Sequence, residues 1–243
     1  MRDRLIVLPG WGLGLAPLQP LIAALRGLDP HLQVQLEPLP ELASAAPQDW
    51  LDELDARLPQ DCWLGGWSLG GMLAAELAAR RGERCRGLLT LASNASFVGR
   101  EDWATAMPAA TFSDFRGGCG ADAQATLKRF SLLCAQGAAE PRALGRLLFA
   151  GAPVQEAAYR LAGLDVLATL DTRAALQAFN GPQLHLFAAA DALVPVAAAG
   201  ELQSLLGDVE SGVIDAASHA FVLERPHEVA AALLAFLREV GDV

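Results

Sequence analysis

The chain has little positive charge and almost no lysine. Its 243 residues include 18 basic and 28 acidic side chains, which gives a formal net charge of −10 at pH 7. Lys128 is the only lysine, so the other basic residues are arginines, which present a planar fork of donors rather than a point charge. Because an acidic mean field repels phosphates, we expect no general nucleic-acid binding.

Long apolar runs and paired cysteines are absent as well. Prolines and glycines interrupt the most apolar stretch, residues 5–25, before it reaches the roughly 20 residues that a membrane-spanning helix requires. The four cysteines have no CxxC spacing, which argues against a disulfide framework and favours buried free thiols. The start of the chain has no long apolar segment typical of a signal peptide. We therefore expect a cytoplasmic protein that does not bind membranes.

What the sequence does contain is an alternation of short apolar runs with helical patterns. The runs predict strands at Leu5–Leu8, Gln33–Leu36, Cys62–Gly65, Gly87–Ala92, Gln183–Ala188 and Glu210–Ile214. Helical spacing falls between them, at residues 17–28, 50–58, 69–81 and 226–240. This order is typical of βαβ units and predicts an α/β fold with a mostly parallel central sheet flanked by helices.

The middle of the chain differs, because it carries little strand signal. Segments 121–135, 140–149 and 154–167 have helical spacing, with breaks expected at Gly117-Gly118 and at residues 151–153. The simplest organisation is a core formed by residues 1–96 and 177–243, with an all-helical lid inserted at residues 97–176.

The strongest local motif is G-x-S-x-G at residues 66–70. It follows a predicted buried strand and precedes an Ala-rich helix, which is the context of a nucleophile elbow. In such an elbow the serine lies on a sharp strand-to-helix turn, so Ser68 is the predicted nucleophile. The alternative is a chance match in a Gly-rich chain.

A serine nucleophile needs a base and an acid that orients the base. Of the four histidines, His219 lies after the last predicted strand, where the chain order Ser…Asp…His of this fold places the base. The acid should follow the next-to-last strand, which favours Asp191 over its competitors Asp171 and Asp215. Asp191 would fix the tautomer of His219 and stabilise the imidazolium.

An oxyanion hole needs two backbone N–H donors. One is the amide of Leu69, the residue after the nucleophile. The second is expected from residues 9–12, the loop after the first strand, where Trp11 is the predicted donor and its indole would wall the acyl site. The alternative is an ordinary Gly-rich turn.

Taken together, these motifs resemble the α/β-hydrolase superfamily along the whole chain. More narrowly, the chain is similar to the pimeloyl-[acyl-carrier protein] methyl ester esterases of biotin synthesis. The more particular segments are W-S-L-G-G at residues 67–71, R-x-D-W at 100–103 and L-D-T-R at 170–173. The chain departs from the family at Pro9, where a histidine is usual, and it lacks the motif D-x-P-G-x-G-x-S after the second strand.

The resemblance implies a reaction and a partner. Ser68 would attack the methyl ester at the far end of a pimeloyl chain held by acyl carrier protein, with no metal or organic cofactor, and small esters are expected substrates too. Phe130 would line the acyl channel. Arginines of the lid would bind the carrier protein. The enzyme is expected to be a monomer. The matching residues are Arg129 and Arg142, with Arg146 beside them.

Charge distribution favours such a partner independently. Residues 116–160 include six basic and three acidic side chains, so this segment is net +3 while the rest of the chain is net −13. A basic patch on an acidic protein suits an acidic or phosphate-bearing partner. The alternative is that these residues form the solvated faces of helices.

Two other functions stay open from the sequence. The same residues suit another serine hydrolase, such as a general carboxylesterase, a thioesterase or a carbon–carbon bond hydrolase, because the chemistry lies in the pocket and not in the fold. A ligand-binding protein on a hydrolase scaffold is the non-enzymatic alternative. The intact set of Ser68, Asp191 and His219 argues against it.

Overall fold

A parallel six-stranded sheet forms the centre of the molecule. The computed structural model describes residues 4–207 and 209–241. The sheet has the order β2-β1-β3-β4-β5-β6, and each neighbouring pair is parallel. The strands are β1 (Arg4–Leu8), β2 (Gln33–Leu36), β3 (Cys62–Trp67), β4 (Cys85–Leu91), β5 (Gln183–Ala188) and β6 (Glu210–Ile214). The predicted fold class is confirmed, and each strand lies where an apolar run placed it.

Helices cover both faces of this sheet. α1 (Gln19–Leu28) leads from β1 to β2, whereas the helix after β3, residues Leu69–Arg81, leads to β4 in the opposite direction. Since parallel crossovers are right-handed, the two helices lie on opposite faces. Every residue of β3 is buried, as expected for a strand covered on both sides.

The remaining helices of the sheet region pack around these two. They are α2 (Pro47–Arg57), α8 (Arg173–Ala178), α9 (Ala198–Leu206), α10 (Phe221–Glu224) and α11 (Pro226–Gly241), and the helix after β3 is named α3 (Leu69–Arg81). α11 packs against α1, while α2 and α8 pack against α3. Apolar side chains from both groups join one hydrophobic core with the strands.

Between β4 and β5, a stretch described in full, the chain forms helices and isolated bridges but no strand. The helices are α4 (Ala109–Ala121), α5 (Ala123–Cys134), α6 (Pro141–Ala150) and α7 (Ala157–Thr169), followed by α8. α5 packs against α4 and α6, and α4 packs against α7. We keep the name lid for residues 97–176, and its boundaries as a separate unit stay a prediction.

One lid helix differs from the sequence prediction. Gly117-Gly118 was expected to break helical structure, but α4 continues through both glycines to Ala121. Phe112 and Cys119 of α4 are buried, and this packing offsets the ~1 kcal/mol that each internal glycine costs relative to alanine. The break comes at Asp122 instead, whose carboxylate caps α5 by accepting the Ala125 N–H.

The carboxyl ends of the strands meet at one edge of the sheet. Ser68 follows β3 directly, Asp191 comes three residues after β5, and His219 comes five residues after β6. Ligands of open α/β sheets bind outside this edge. The topology therefore collects the three predicted catalytic residues from distant parts of the sequence.

Candidate active site

Ser68 lies on a strained turn between β3 and α3. Its φ is +55°, in the left-handed region that non-glycine residues rarely adopt, and its N–H donates to the Leu91 carbonyl at 2.8 Å. Two glycines allow the close approach of chains here. A Cβ at Gly66 would meet the backbone of Gly70 at 2.2 Å, and one at Gly70 would meet the Leu8 carbonyl oxygen at 2.5 Å. This backbone is typical of a nucleophile elbow.

Asp191 and His219 form a buried pair at the same edge. The distance from His219 Nδ1 to Asp191 Oδ2 is 2.7 Å, and the two side chains are 0% and 1% exposed. The other carboxylate oxygen of Asp191 accepts the N–H groups of Leu193 at 2.7 Å and Val194 at 2.9 Å. The loop after β5 thus fixes the carboxylate, and the carboxylate fixes the imidazole.

The opposite nitrogen of His219 is free to act. Among the described residues, Nε2 of His219 has no hydrogen-bond partner although it is buried. A neutral imidazole that donates from Nδ1 to a carboxylate keeps Nε2 as a proton acceptor. Trp67, the residue before Ser68, donates its indole N–H to the His219 carbonyl at 2.9 Å. This bond ties the histidine loop to the serine turn.

The competing acids lie elsewhere. Asp171 accepts a two-point contact from Arg173, with Nε–Oδ1 and Nη2–Oδ2 distances of 2.8 and 2.6 Å. The guanidinium of Arg173 holds the pKa of Asp171 below its usual range. Asp215 is exposed. Of the three candidates, the geometry brings Asp191 to His219.

The other histidines do not meet Ser68 or Asp191. His185 is buried within β5, where its Nδ1 lies 2.6 Å from Thr90 Oγ1. Burial lowers the pKa of His185 to about 3, so the ring is neutral. His31 and His227 are exposed.

Both predicted oxyanion donors border the serine turn. Leu69 is the first residue of α3, so its N–H has no carbonyl one turn earlier in the helix to bind. The loop of residues 9–12 runs alongside: a Cβ at Gly10 would lie 3.3 Å from Ser68 Cβ. The Pro9 carbonyl also packs against Gly70, where an added Cβ would meet its oxygen at 2.5 Å. Although proline replaces the usual histidine at position 9, the loop still packs against the nucleophile elbow.

The Trp11 side chain packs beneath the lid. Its indole N–H donates to the Arg160 carbonyl of α7 at 2.8 Å. Its ring makes edge contacts with Phe130 and Phe115, with centroid distances of 4.9 and 5.6 Å. Sequence analysis identified Trp11 and Phe130 but missed Phe115, although its spacing from Phe112 on one helix was a usable signal.

Two cavities flank this aromatic group. A cleft of about 260 Å³ lies against the loop of residues 9–12 and is lined by Pro38, Trp50 and Tyr159 among others. A smaller cavity of about 40 Å³ is lined mostly by apolar side chains, among them Phe130, Phe115 and Leu193. Phe130 therefore lines an apolar space next to the loop that carries Asp191.

The predicted docking arginines are free at the lid surface. Arg129 on α5 and Arg142 and Arg146 on α6 are exposed, and none of them forms an ion pair within the described part of the chain. Leu147 is 59% exposed beside them. Two other basic residues of segment 116–160 are not free at the surface: Arg116 forms an ion pair with Asp165, and Arg160 is buried.

The family-like segments at residues 100–103 and 170–173 meet at the base of the lid. Arg173 contacts Asp102 at 2.8 Å in addition to Asp171, and its guanidinium lies 5.7 Å from the centre of the Trp103 ring. The Trp103 indole donates to Asn94 Oδ1 at 2.9 Å. These contacts hold together the two segments that connect the lid to the core. In the described structure, none of these residues forms a hydrogen bond with Ser68 or His219.

Within residues 4–207 and 209–241, no group of three or more His, Cys, Asp or Glu side chains is placed to hold a metal ion. In the same residues, no helix has the length and apolar character needed to cross a membrane.

Comparison with known proteins places the chain among relatives. The family model described as alpha/beta hydrolase fold matches residues 40–226. The chain is 37% identical over 241 residues to the biotin biosynthesis bifunctional protein BioHC of Cellvibrio japonicus (strain Ueda107), covering 97% of this chain and 47% of that protein. It thus spans about half the length of the bifunctional relatives that it matches.

A second relative matches at nearly full length on both sides. The pimeloyl-[acyl-carrier protein] methyl ester esterase of Aeromonas hydrophila subsp. hydrophila is 32% identical, covering 92% of this chain and 91% of that protein. Among solved structures, an esterase from Exiguobacterium antarcticum superposes with a TM-score of 0.84 at 14% identity, covering 97% of this chain and 92% of that one. At that identity the likeness shows the fold alone.

Proposed function

The chain belongs to the α/β-hydrolase fold family, and from that premise we propose that it is a serine carboxylesterase acting on the methyl ester of pimeloyl-[acyl-carrier protein]. The products are pimeloyl-[acyl-carrier protein] and methanol, a step of biotin synthesis. The observation that carries the proposal is the buried Asp191–His219 pair, which leaves Nε2 without a partner and whose loop is hydrogen-bonded to Trp67, the residue before Ser68. The names of the relatives suggest the substrate.

Acylation begins with the Ser68 hydroxyl. Its oxygen attacks the ester carbonyl carbon while His219 Nε2 takes its proton, and Asp191 stabilises the resulting imidazolium through Nδ1. The carbonyl oxygen becomes an anion that the amides of Trp11 and Leu69 bind. His219 then returns the proton to the methoxy oxygen, the bond to the acyl carbon breaks, and methanol leaves.

Deacylation repeats the same proton path with water. His219 Nε2 accepts a proton from a water molecule whose oxygen attacks the acyl-serine carbonyl. The Trp11 and Leu69 amides bind the second oxyanion, and the proton passes to Ser68 Oγ as the acyl group departs as the free acid. Neither half-reaction calls for a redox change.

The lid surface supports a macromolecular substrate. Arg129, Arg142 and Arg146 are exposed cations on a chain whose net charge is negative. Such a patch attracts an acidic protein and orients it before contact. Leu147 adds an exposed apolar side chain within the patch, as is typical of protein-binding surfaces with a polar rim. We infer that acyl carrier protein docks on α5 and α6.

The direct test is hydrolysis of purified pimeloyl-[acyl-carrier protein] methyl ester, followed by mass spectrometry as loss of the methyl group. Wild type should convert this ester faster than a short free methyl ester, and the Ser68→Ala variant should convert neither. Turnover of the free ester alone would discard the substrate and leave a general carboxylesterase. A wild type inert toward both esters would instead favour a binding protein.

A further inference from the structure

Ser93 lies directly beneath the nucleophile turn and takes no part in the reaction described above. It comes two residues after β4 and is 7% exposed. Its hydroxyl donates to the carbonyl oxygen of Ser68 at 2.7 Å. We propose that Ser93 is a positioning residue that holds the Leu69 amide in the oxyanion hole. The inference rests on the proposed function, because the oxyanion hole belongs to the proposed reaction.

The carbonyl of Ser68 and the N–H of Leu69 belong to one peptide group. A trans peptide is planar, and its C=O and N–H point in opposite directions, so fixing one direction fixes the other. The same carbonyl accepts the N–H groups of Gly71 at 3.0 Å and Met72 at 3.3 Å, and the Ser93 contact is the shortest of the three. Without Ser93, two longer contacts within the first turn of α3 would alone oppose rotation of this peptide.

Two costly features of the surrounding backbone bring Ser93 to this place. Ala92 has a φ of +47°, in the left-handed region that residues other than glycine rarely adopt. Gly71 provides the space, since a Cβ at Gly71 would lie 2.1 Å from Ser93 Oγ. Backbone strain is often retained at functional sites, and here the strained Ala92 precedes a serine that contacts the nucleophile turn. It also explains the second glycine of W-S-L-G-G.

Ser93 acts through a peptide group and does not touch the substrate in this scheme. Its removal should weaken binding of the oxyanion, which exists in the transition state and not in the bound ester. We therefore expect kcat to fall while KM changes little. The loss should be about tenfold, below the ~10²–10³ observed when an oxyanion donor is removed outright.

The experiment compares Ser93→Ala with Ser131→Ala on a p-nitrophenyl ester. Ser131 is a matched control, because its buried hydroxyl donates to the Leu127 carbonyl at 2.9 Å in the same manner, but within α5. Ser93→Ala should lower kcat about tenfold and weaken inhibition by an alkylboronic acid, which forms a tetrahedral adduct with the serine, by the same factor. Ser131→Ala should change both by less than about twofold.

A folded Ser93→Ala variant with kcat and boronate affinity near wild type would overturn the proposal. So would equal losses in Ser93→Ala and Ser131→Ala, which indicate a structural effect. If Ser93→Ala does not fold, Ser93→Cys replaces it, since a thiol has a similar size and donates weakly. Its kcat should fall below wild type at unchanged KM, and a wild-type kcat would overturn the proposal. Activity on the p-nitrophenyl ester without activity on the carrier-bound ester would refute the substrate alone.

Discussion

The core and the lid place their predicted functional residues in opposite ways. In the core, Asp191 and His219 are buried, and each is fixed by hydrogen bonds from its neighbours. In the lid, Arg129, Arg142 and Arg146 project from helices and are exposed. Chemistry needs groups held to fractions of an ångström, whereas long-range attraction of a charged partner needs only charge at the surface. Under the proposed function, the contrast predicts that the core carries out catalysis and that the lid determines the choice of substrate.

The two regions touch at a few defined points. Trp11 donates its indole N–H to the Arg160 carbonyl of α7, and the Ala220 N–H donates to the Cys134 carbonyl at the end of α5. Cys134 is fully buried near Asp191. Burial raises the pKa of its thiol well above the ordinary value, and the negative charge of Asp191 raises it further. The thiol therefore stays neutral beside the Asp191 carboxylate. These two hydrogen bonds join the lid to the loops that carry Trp11 and His219.

The largest effect should come from removing the nucleophile. Ser68→Ala should lower kcat by about 10⁴-fold or more on carrier-bound and free esters alike, because both substrates use one core. The melting temperature should not fall, since the Ser68 hydroxyl lies on a turn whose strain alanine shares. Residual activity near wild type on either ester would mean that a different residue attacks it.

The next largest effect should come from the acid. Asp191→Asn should reduce kcat by about 10³–10⁴-fold, since an amide cannot hold His219 in the tautomer that leaves Nε2 as acceptor. Asp171→Asn is the matched control, and it should retain kcat while loosening the clamp with Arg173. If Asp171→Asn lost activity and Asp191→Asn kept it, Asp171 and not Asp191 would be the acid that the reaction needs.

A loss of stability at low pH should arise from the core sheet, where His185 is buried. Burial lowers the pKa of His185 from its ordinary value of 6.5 to about 3. Between these values the unfolded chain binds a proton that the folded chain does not, so stability falls as pH falls from 6.5 toward 3. The loss should reach about 2 kcal/mol at pH 5 and vanish above 6.5.

Urea unfolding at pH 7 and pH 5 measures this loss. His185→Gln should flatten the difference between the two pH values, whereas His227→Gln, which changes an exposed histidine, should leave it as in wild type. An unchanged pH dependence in His185→Gln would mean that the ring is charged in the folded protein.

The smallest effect concerns the contact between core and lid. Trp11→Phe keeps an aromatic ring but removes the hydrogen bond to Arg160, which should cost about 1 kcal/mol of stability. Trp50→Phe removes a similar bond to the Ser44 carbonyl within the core region. Hydrogen exchange in α7 should speed up more for Trp11→Phe than for Trp50→Phe, whose ring also borders Gly163 of α7. Equal exchange in α7 would show that this bond does not hold the lid.

The core residues could be predicted because local pattern and chain order specify them. Alternating apolar runs located the strands, and G-x-S-x-G between a strand and a helix located Ser68. The order of the loops then selected Asp191 over Asp171 and Asp215. Each step depended on a feature within a few residues or on topology that this fold imposes.

The lid residues were harder to predict because their environment depends on tertiary packing. The count of six basic residues treated Arg116 and Arg160 as surface charges, yet one pairs with Asp165 and the other is buried, where burial lowers its pKa. α4 crosses Gly117-Gly118 because packing outweighs helix propensity. Ser93 carried no local signal, since its importance arises from a carbonyl 25 positions earlier in the chain.

The central claim, that the core reacts and the lid selects, is tested most directly by charge reversal on the lid. Arg129→Glu with Arg142→Glu is compared with Arg84→Glu plus Arg238→Glu, which makes the same charge change at exposed positions outside the lid. The lid variant should lose about 10- to 100-fold in kcat/KM on the carrier-bound methyl ester while remaining within about twofold on a free methyl ester. The control should keep both rates. Equal losses on the two esters in the lid variant, or no loss on either, would contradict the account.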